Sequence, residues 1–254
     1  MSNSRADVQM LEELNFNAWP ALHTVHHDGW LIRKTGGSSR RVNSANALSP
    51  GVLPLEEKVR YCEALFDGWK QRRVFRVTPL ADPALAGLLA ARGYEPEAPT
   101  FVQVAQVKPF PIDARVTVSD RFDPAWSRAS AAMRGLAGDD AVILEAQHRA
   151  IAIPTLWASA RVDGEIAAVG AVAVERGWAG LHGIYVSRSV RRAGLARAIS
   201  KALLGGAHQL GASRAWLQVE QGNSAALPLY GSLGFETEWA YQHLVLSATT
   251  ALTH

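Results

Sequence analysis

Two stretches of this chain, 141 positions apart, follow one plan. Val74–Glu95 and Ala215–Glu236 each read as a strand, a capping residue, a helix, and then a glycine, an aromatic and a glutamate. Gly93-Tyr94-Glu95 lies over Gly234-Phe235-Glu236, Asp82 over Asn223, and Leu89 over Tyr230. The helix preceding each strand falls in the same register. A period this long in a 254-residue chain points to duplicated α/β units rather than a solenoid of short repeats.

The pattern on either side of the repeat fills in the rest. In the first half Val8–Phe16 has apolar residues at helical spacing, Gly29–Arg33 reads as a short strand, Gly36–Ser39 as a turn, and Arg41–Leu48 as a returning strand. A helix is predicted over Pro54–Arg72, with Glu56 and Glu57 in its first turn and Val59, Cys62, Leu65, Phe66 and Trp69 on one face. Val74–Thr78 is a strand. Asp82 as N-cap and Pro83 at the first helical position predict a helix to Ala91, closed by Gly93. Thr100–Val107 returns as a strand, and Lys108–Asp113, with two prolines, reads as a linker. In the second half a helical region runs from Asp123 to Ile151, broken around Gly135–Gly138. Leu156–Val162 and Ile166–Glu175 form a hairpin across Asp163-Gly164, followed by a strand at Trp178–Val186. A helix from Arg192 to Leu210, a strand at Ala215–Val219, a helix capped by Asn223 and running to Leu233, and a strand at Glu238–Leu246 complete the pattern.

Composition removes several classes of function. Apolar residues make up 48% and charged residues 19%, so the chain can bury a core. One cysteine, Cys62, excludes an internal disulfide framework and a four-cysteine zinc site, and suits a reducing, cytoplasmic setting. The apolar runs are too short for a membrane span, and Met1–Met10 shows no signal-peptide pattern. With 26 basic and 23 acidic residues the net charge is +3, too even for a nucleic-acid stripe, and the run Lys70–Arg73 suits a helix C-terminal end. Trp157, Trp178 and Trp216 fall in or beside strands and read as core. His23, His26, His27 and Asp28 lack the spacing of a metal set and read as a solvated loop; no metal is expected.

The most informative stretch is Ile184–Ala198, a strand followed by Arg191-Arg192-Ala193-Gly194-Leu195-Ala196 and a long helix. A strand-to-helix turn of this kind offers free backbone N–H groups at the positive end of a helix, an arrangement suited to a pyrophosphate. Gly194 lets a ligand approach the backbone, and Arg191, Arg192 and Arg197 add charge-assisted contacts. It is neither a P-loop nor a dinucleotide fingerprint. Taken alone, the same residues also describe an exposed helix start with solvated arginines.

Downstream stand Asn223, Ala226, Leu229-Tyr230 and Leu233-Gly234-Phe235. Together with Arg191–Ala196, in this order and at this separation, they resemble the GNAT superfamily of N-acetyltransferases. The resemblance is strong over Leu156–Leu246 and weak over Met10–Val107. It implies that Ile184, Tyr185 and Val186 hold the pantetheine arm of acetyl-CoA as an added strand. It implies further that amides of Arg192, Ala193, Gly194, Leu195 and Ala196 hold the pyrophosphate, with Arg191 and Arg197 beside it. Asn223 and Ala226 belong to the same cofactor-binding set, and Tyr230 is the acid that protonates the leaving thiolate. A phenol with a pKa near ~10 can donate at neutral pH; outside this motif it would read as a core tyrosine.

The general base is open. Relatives place a glutamate where this chain has Gln218, or near Gly180. Glu220, at the carboxyl end of its strand, is the nearest acid, and His182 shares a strand face with Ile184 and Val186. Glu175 is either structural or acceptor-facing, and with Glu220 could line an acidic acceptor pocket. A water chain would make all of these unnecessary. Cys62 lies in the other half, which argues against a cysteine relay.

The resulting expectation is an α/β (α+β) chain of two tandem GNAT-like domains, each a mixed, mostly antiparallel sheet flanked by helices. Residues 1–108 form a degenerate domain, because the counterpart of the pyrophosphate loop near Pro50–Leu55 lacks the motif. Residues 114–254 form the catalytic one. The expected reaction is transfer of acetyl from acetyl-CoA to a primary amine of a small molecule or peptide, in a ternary complex, in a protein that associates with no membrane. The alternative is an acyl-CoA-binding pseudoenzyme without turnover. The acceptor and the oligomeric state, including a homo-oligomer, stay open.

Overall fold

The computed structural model describes residues 4–246, and among these eleven strands form one continuous sheet. In chain order the elements are α1 (Arg5–Ala18), β1 (His23–His27), β2 (Trp30–Lys34), β3 (Ala45–Ala47), α2 (Leu55–Gly68), β4 (Val74–Val77), α3 (Leu85–Ala91) and β5 (Glu95–Gln106). They continue with β6 (Val116–Ser119), α4 (Pro124–Arg134), α5 (Asp139–Arg149), β7 (Thr155–Val162), β8 (Glu165–Glu175), β9 (Trp178–Val186), α6 (Leu195–Gln209), β10 (Arg214–Glu220), α7 (Ala226–Gly231) and β11 (Glu236–Val245).

The spatial order is β1-β2-β3-β4-β11-β5-β10-β9-β8-β7-β6. Only β3–β4 and β9–β10 are parallel; the other pairings are antiparallel. This is the mixed, mostly antiparallel α/β fold that the sequence predicts. The last strand of each half has crossed into the other: β5 pairs with β10, and β11 pairs with β4. Helices α2 and α6, strands β4 and β10, helices α3 and α7, and strands β5 and β11 start within about two residues of the 141-position offset.

Packing follows from the apolar patterns. Ala167–Val174 of β8 are all buried, so this strand is covered on both faces. Helix α6 covers one face with Ile199, Ala202 and Leu203, and α4 packs on β8 and β9. The first-half core gathers Ile32, Phe66, Phe75 and Leu89. A third cluster joins the halves: Val8, Leu11 and Leu14 of α1 pack against Ala173, Trp178, Trp216, Trp239 and Tyr241. Trp157, Trp178 and Trp216 are core residues. A buried ion pair reinforces the join, with Arg76 of β4 donating to both oxygens of Glu12 of α1 and lying 3.7 Å from the Tyr241 ring centre. Removing one partner of such a pair costs about 3–5 kcal/mol.

Several local readings are corrected. The histidine segment is strand β1, closed on β2 by a two-residue Asp28-Gly29 turn whose φ angles, 43° and 82°, nearly repeat the 52° and 84° of Asp163-Gly164. Residues Arg40–Val42 form a 3₁₀ turn, so β3 begins only at Ala45. Asp82 accepts from the amide of Ala84 at 2.8 Å instead of capping a helix at Pro83, and α3 starts at Leu85. Helix α6 starts at Leu195 rather than Arg192, and α7 spans only Ala226–Gly231. No helix among the described residues is long and apolar enough to cross a membrane.

Candidate active site

Strands β9 and β10 part company in the middle of the sheet. They pair in parallel from Trp178↔Arg214 to Leu181↔Leu217 and no further. At that point β9 carries a bulge: Ala171 faces His182 and Val169 faces Tyr185, so Gly183 and Ile184 together oppose Gly170. Gly183 has a φ of +65°, which a residue with a side chain adopts only at a cost of about 1–2 kcal/mol. Beyond Leu217, Gln218, Val219 and Glu220 pair only with Val102, Phe101 and Thr100 of β5. The edges of β9 and β10 that face each other are thus left without strand partners, in the form that accepts an added extended segment.

This wedge opens into a cavity of about 690 Å³. Its lining brings together Ile184, Tyr185, Asn223, Ala226, Tyr230, Glu220 and His182. Val186 and Arg191–Arg197 stand outside that lining. The loop leading into α6 carries Arg192 at φ +67° and Gly194 at +76°, and Gly194 caps the helix without any side-chain bond. The amides of Leu195, Ala196 and Arg197 therefore meet no acceptor within the first turn. Arg115 steadies the loop by donating to the Ala193 carbonyl at 3.2 Å.

Tyr230 is placed by short-range bonds. The Asn223 side chain accepts from the amide of Ala226 at 3.1 Å and fixes the start of α7. The Tyr230 ring meets Phe235 edge-on at 5.9 Å. Burial pushes its phenol up to about 12, Tyr185 adds to this and Arg41 opposes it, so the hydroxyl keeps its proton at neutral pH. His182 is the opposite case. Burial, helped by Arg41, pulls it down to about 4, so the imidazole is neutral. Its buried ring nitrogens have no hydrogen-bond partner among the described residues, and the Trp19 ring stands edge-on at 5.6 Å. Gln218, where relatives carry a glutamate, accepts from the Tyr241 hydroxyl at 2.8 Å. A side chain at Gly180 would begin 2.5 Å from the Trp216 ring, so no acid fits there.

Glu220 lines the cavity with 57% of its side chain exposed, and its nearest cation is Arg40 at 3.9 Å. Glu175 lies elsewhere: it accepts from Asn17 and sits 3.5 Å from Arg176. The acidic acceptor pocket expected from Glu175 and Glu220 is therefore not formed. Residues from distant parts of the chain replace it, and sequence reasoning missed them: Trp19, Arg40, Arg41 and Arg72 from the first half, Arg134 from α4, and His243 from β11. Only the Gly36–Ser39 turn running into Arg40-Arg41 left a local trace. His23 and His27 share one face of β1 and His26 takes the other. No group of three or more His, Cys, Asp or Glu among the described residues could hold a metal.

A sheet that splays at a bulged strand, an uncapped glycine start to the next helix, and a tyrosine facing the gap define the class: the chain is a member of the GNAT superfamily of N-acetyltransferases. Within it, residues 5–244 match the family described as "Probable histone acetyltransferase Rv0428c C-terminal", and the chain belongs to that family. It is 26% identical over 240 residues to the Uncharacterized N-acetyltransferase YobR of Bacillus subtilis (strain 168), covering 90% of this chain and 94% of the relative. Its fold is similar to a GCN5-related N-acetyltransferase from Kribbella flavida (TM-score 0.69, 20% identity, 96% of each chain). It is also similar to a tandem GNAT protein from the clavulanic acid biosynthesis pathway (TM-score 0.61, 15% identity, 94% of this chain and 87% of that one).

Proposed function

We propose that this acyltransferase uses acetyl-CoA to acetylate a primary amine by direct attack in a ternary complex. One observation carries the reading: the gap between β9 and β10 has Tyr230 on its wall and the open start of α6 beyond its end. Backbone groups of Ile184–Val186 hold the pantetheine arm, and the amides from Arg192 to Ala196 hold the pyrophosphate. The amine nitrogen forms the new N–C bond, the C–S bond breaks, and Tyr230 gives its proton to the departing sulfur. The amine's surplus proton leaves toward solvent past Glu220, and Tyr230 is reprotonated from solvent. His182, neutral, accepts a hydrogen bond from the incoming amine but holds a proton weakly. Cys62 is buried and its thiol is pushed up to about 12 by burial, which favours direct transfer over an acetyl-cysteine.

On this reading residues 114–254 are the catalytic GNAT-like domain, working in the cytoplasm. Residues 1–108 are a degenerate partner that supplies one wall of the acceptor site. The test is calorimetric titration of acetyl-CoA, desulfo-CoA and CoA into the wild type and Gly194→Trp. One saturable site per chain, lost in the variant, is expected. No binding to the wild type would overturn the proposal, and binding without release of CoA to any amine would favour a sensing module.

A further inference from the structure

The cavity is lined by more cations than acids. Four arginines, Arg40, Arg41, Arg72 and Arg134, line it, against two acids, Asp140 and Glu220. Three of the guanidiniums have company. Arg40 and Arg72 each meet Glu97 at 2.8 Å, and Arg134 lies 5.8 Å from the Trp19 ring centre and 5.2 Å from that of Tyr185. Arg41 has no hydrogen bond or ion pair from its guanidinium to any described residue. Arg41 lines the same cavity as Tyr230, His182 and His243, and its charge acts on all three.

The backbone that carries Arg41 is held rigidly. Buried Arg33 donates to the Arg41 carbonyl at 2.8 Å and also to the Trp19 carbonyl. The Asn43 side chain accepts from the amides of Thr35 and Gly36 and donates to the carbonyls of Gly36 and Ser39. A loop tied at this many points has its backbone already ordered before binding, which leaves only the arginine side chain to be fixed by a ligand. An unpaired guanidinium facing a partly desolvated cavity is a fork for a carboxylate. A polyamine or a lysine side chain would bring a second positive charge to the same place.

Building on the acetyltransferase reading, we propose that the acceptor is a small amine that itself carries a carboxylate, an amino acid or close relative, with the carboxylate on Arg41 and the amine turned toward Tyr230. The experiment adds the twenty common amino acids, and for each its carboxamide, to CoA-saturated full-length protein and scores binding by thermal shift. It then measures kcat/KM with acetyl-CoA for the compounds that bind. At least one acid is expected to bind and to exceed its carboxamide by 10-fold or more in kcat/KM, the difference lying in KM. In Arg41→Gln the acid-to-amide ratio should fall to within about 3-fold, and in Arg41→Lys part of it should return, with acetyl-CoA affinity within 2-fold in both. Binding by none of the acids, carboxamides equal to acids, or an unchanged ratio in Arg41→Gln would each overturn the proposal. Failure of acetyl-CoA to bind the wild type would instead overturn the acetyltransferase reading beneath it.

Discussion

The loops that open α2 and α6 sit at the same register of the repeat, and they have opposite fates. Gly51 and Arg192 are counterparts and share a left-handed backbone, φ +64° and +67°. In the second half the amides that follow, from Ala193 and Gly194, have no acceptor among the described residues, and a side-chain carbon added at Gly194 would meet nothing within 4 Å. In the first half the matching amides, Val52 and Leu53, both donate to the Asp28 carboxylate at 2.9–3.0 Å. Asp28 is also 2.8 Å from the buried ammonium of Lys58, and a side-chain carbon on Gly51 would lie 2.2 Å from its oxygen. The cradle survives in both halves; in one it is filled by the protein's own anion. The β7–β8 hairpin has the same Asp-Gly turn, but Asp163 makes no bond to the loop before α6. An anion site is thus decided less by its backbone than by which carboxylate can reach it.

The largest test of this contrast lies one helix further on, where Tyr230 and Leu89 are counterparts. Tyr230→Phe should lower kcat by about 100-fold or more, the usual worth of a positioned acid, with acetyl-CoA affinity nearly unchanged. Leu89 is fully buried, so Leu89→Ala should cost about 2–5 kcal/mol in a denaturant melt while the folded fraction keeps its kcat. Equal rates for Tyr230→Phe and wild type at every pH would remove the tyrosine from the mechanism.

Next in size is Asp28→Asn. The Lys58 contact, then the Leu53 and Val52 amides, hold the Asp28 carboxyl down at about 2 from 3.8. A depressed carboxyl adds stability above its unfolded value and loses it as the pH falls between about 4 and 2. The variant should melt a few degrees lower at pH 7, read in a thermal scan. It should lose the part of the acid transition that falls in that window, with no second acetyl-CoA site. A second binding site in calorimetry would mean that Asp28 alone keeps the first half silent.

A smaller effect is expected from Arg192→Gly, which copies Gly51 into the second loop. Relief of the left-handed strain should raise stability by about 1 kcal/mol, while acetyl-CoA affinity falls a few-fold with the lost cation. Unchanged affinity would place Arg192 away from the phosphates. The smallest expectation is a flat result. His182 charges only below about 4 and His243 only below about 2, both through burial first. kcat/KM should therefore show no inflection from either between pH 5.5 and 8. An inflection near 6.5 that disappears in His182→Gln would make His182 the base.

What could be read from the sequence was local. The Asp163-Gly164 hairpin, the Arg191–Ala196 loop and the spacing from Asn223 to Tyr230 each depend on residues a few positions apart, and the structure forms those elements with ends moved by a few residues. Strand β1 escaped notice because His-Thr-Val-His-His pairs along an edge with little burial and shows no apolar alternation. The acceptor wall was out of reach for a different reason. Arg41, Arg134 and His243 come from three distant parts of the chain and line one cavity, and no short-range pattern encodes that assembly. The acidic pocket expected from Glu175 failed on a contact 158 positions away, because Asn17 donates to its carboxylate beside the adjacent Arg176.

The exchange of β5 and β11 also bears on how the chain is made. As synthesis passes Gln106, the first half has its helices and β4 but lacks β11, the strand that pairs with β4 and lies more than a hundred residues ahead. Meanwhile β5 exposes an edge that only the still-unmade β10 can cover. Neither half of the sheet is finished until β11 has been made, so the contacts that close it are among the most distant in sequence and the slowest to form. A chain stopped near residue 108 would leave β4 with one unpaired edge and β5 with two, and would be more prone to pair with its neighbours than to fold.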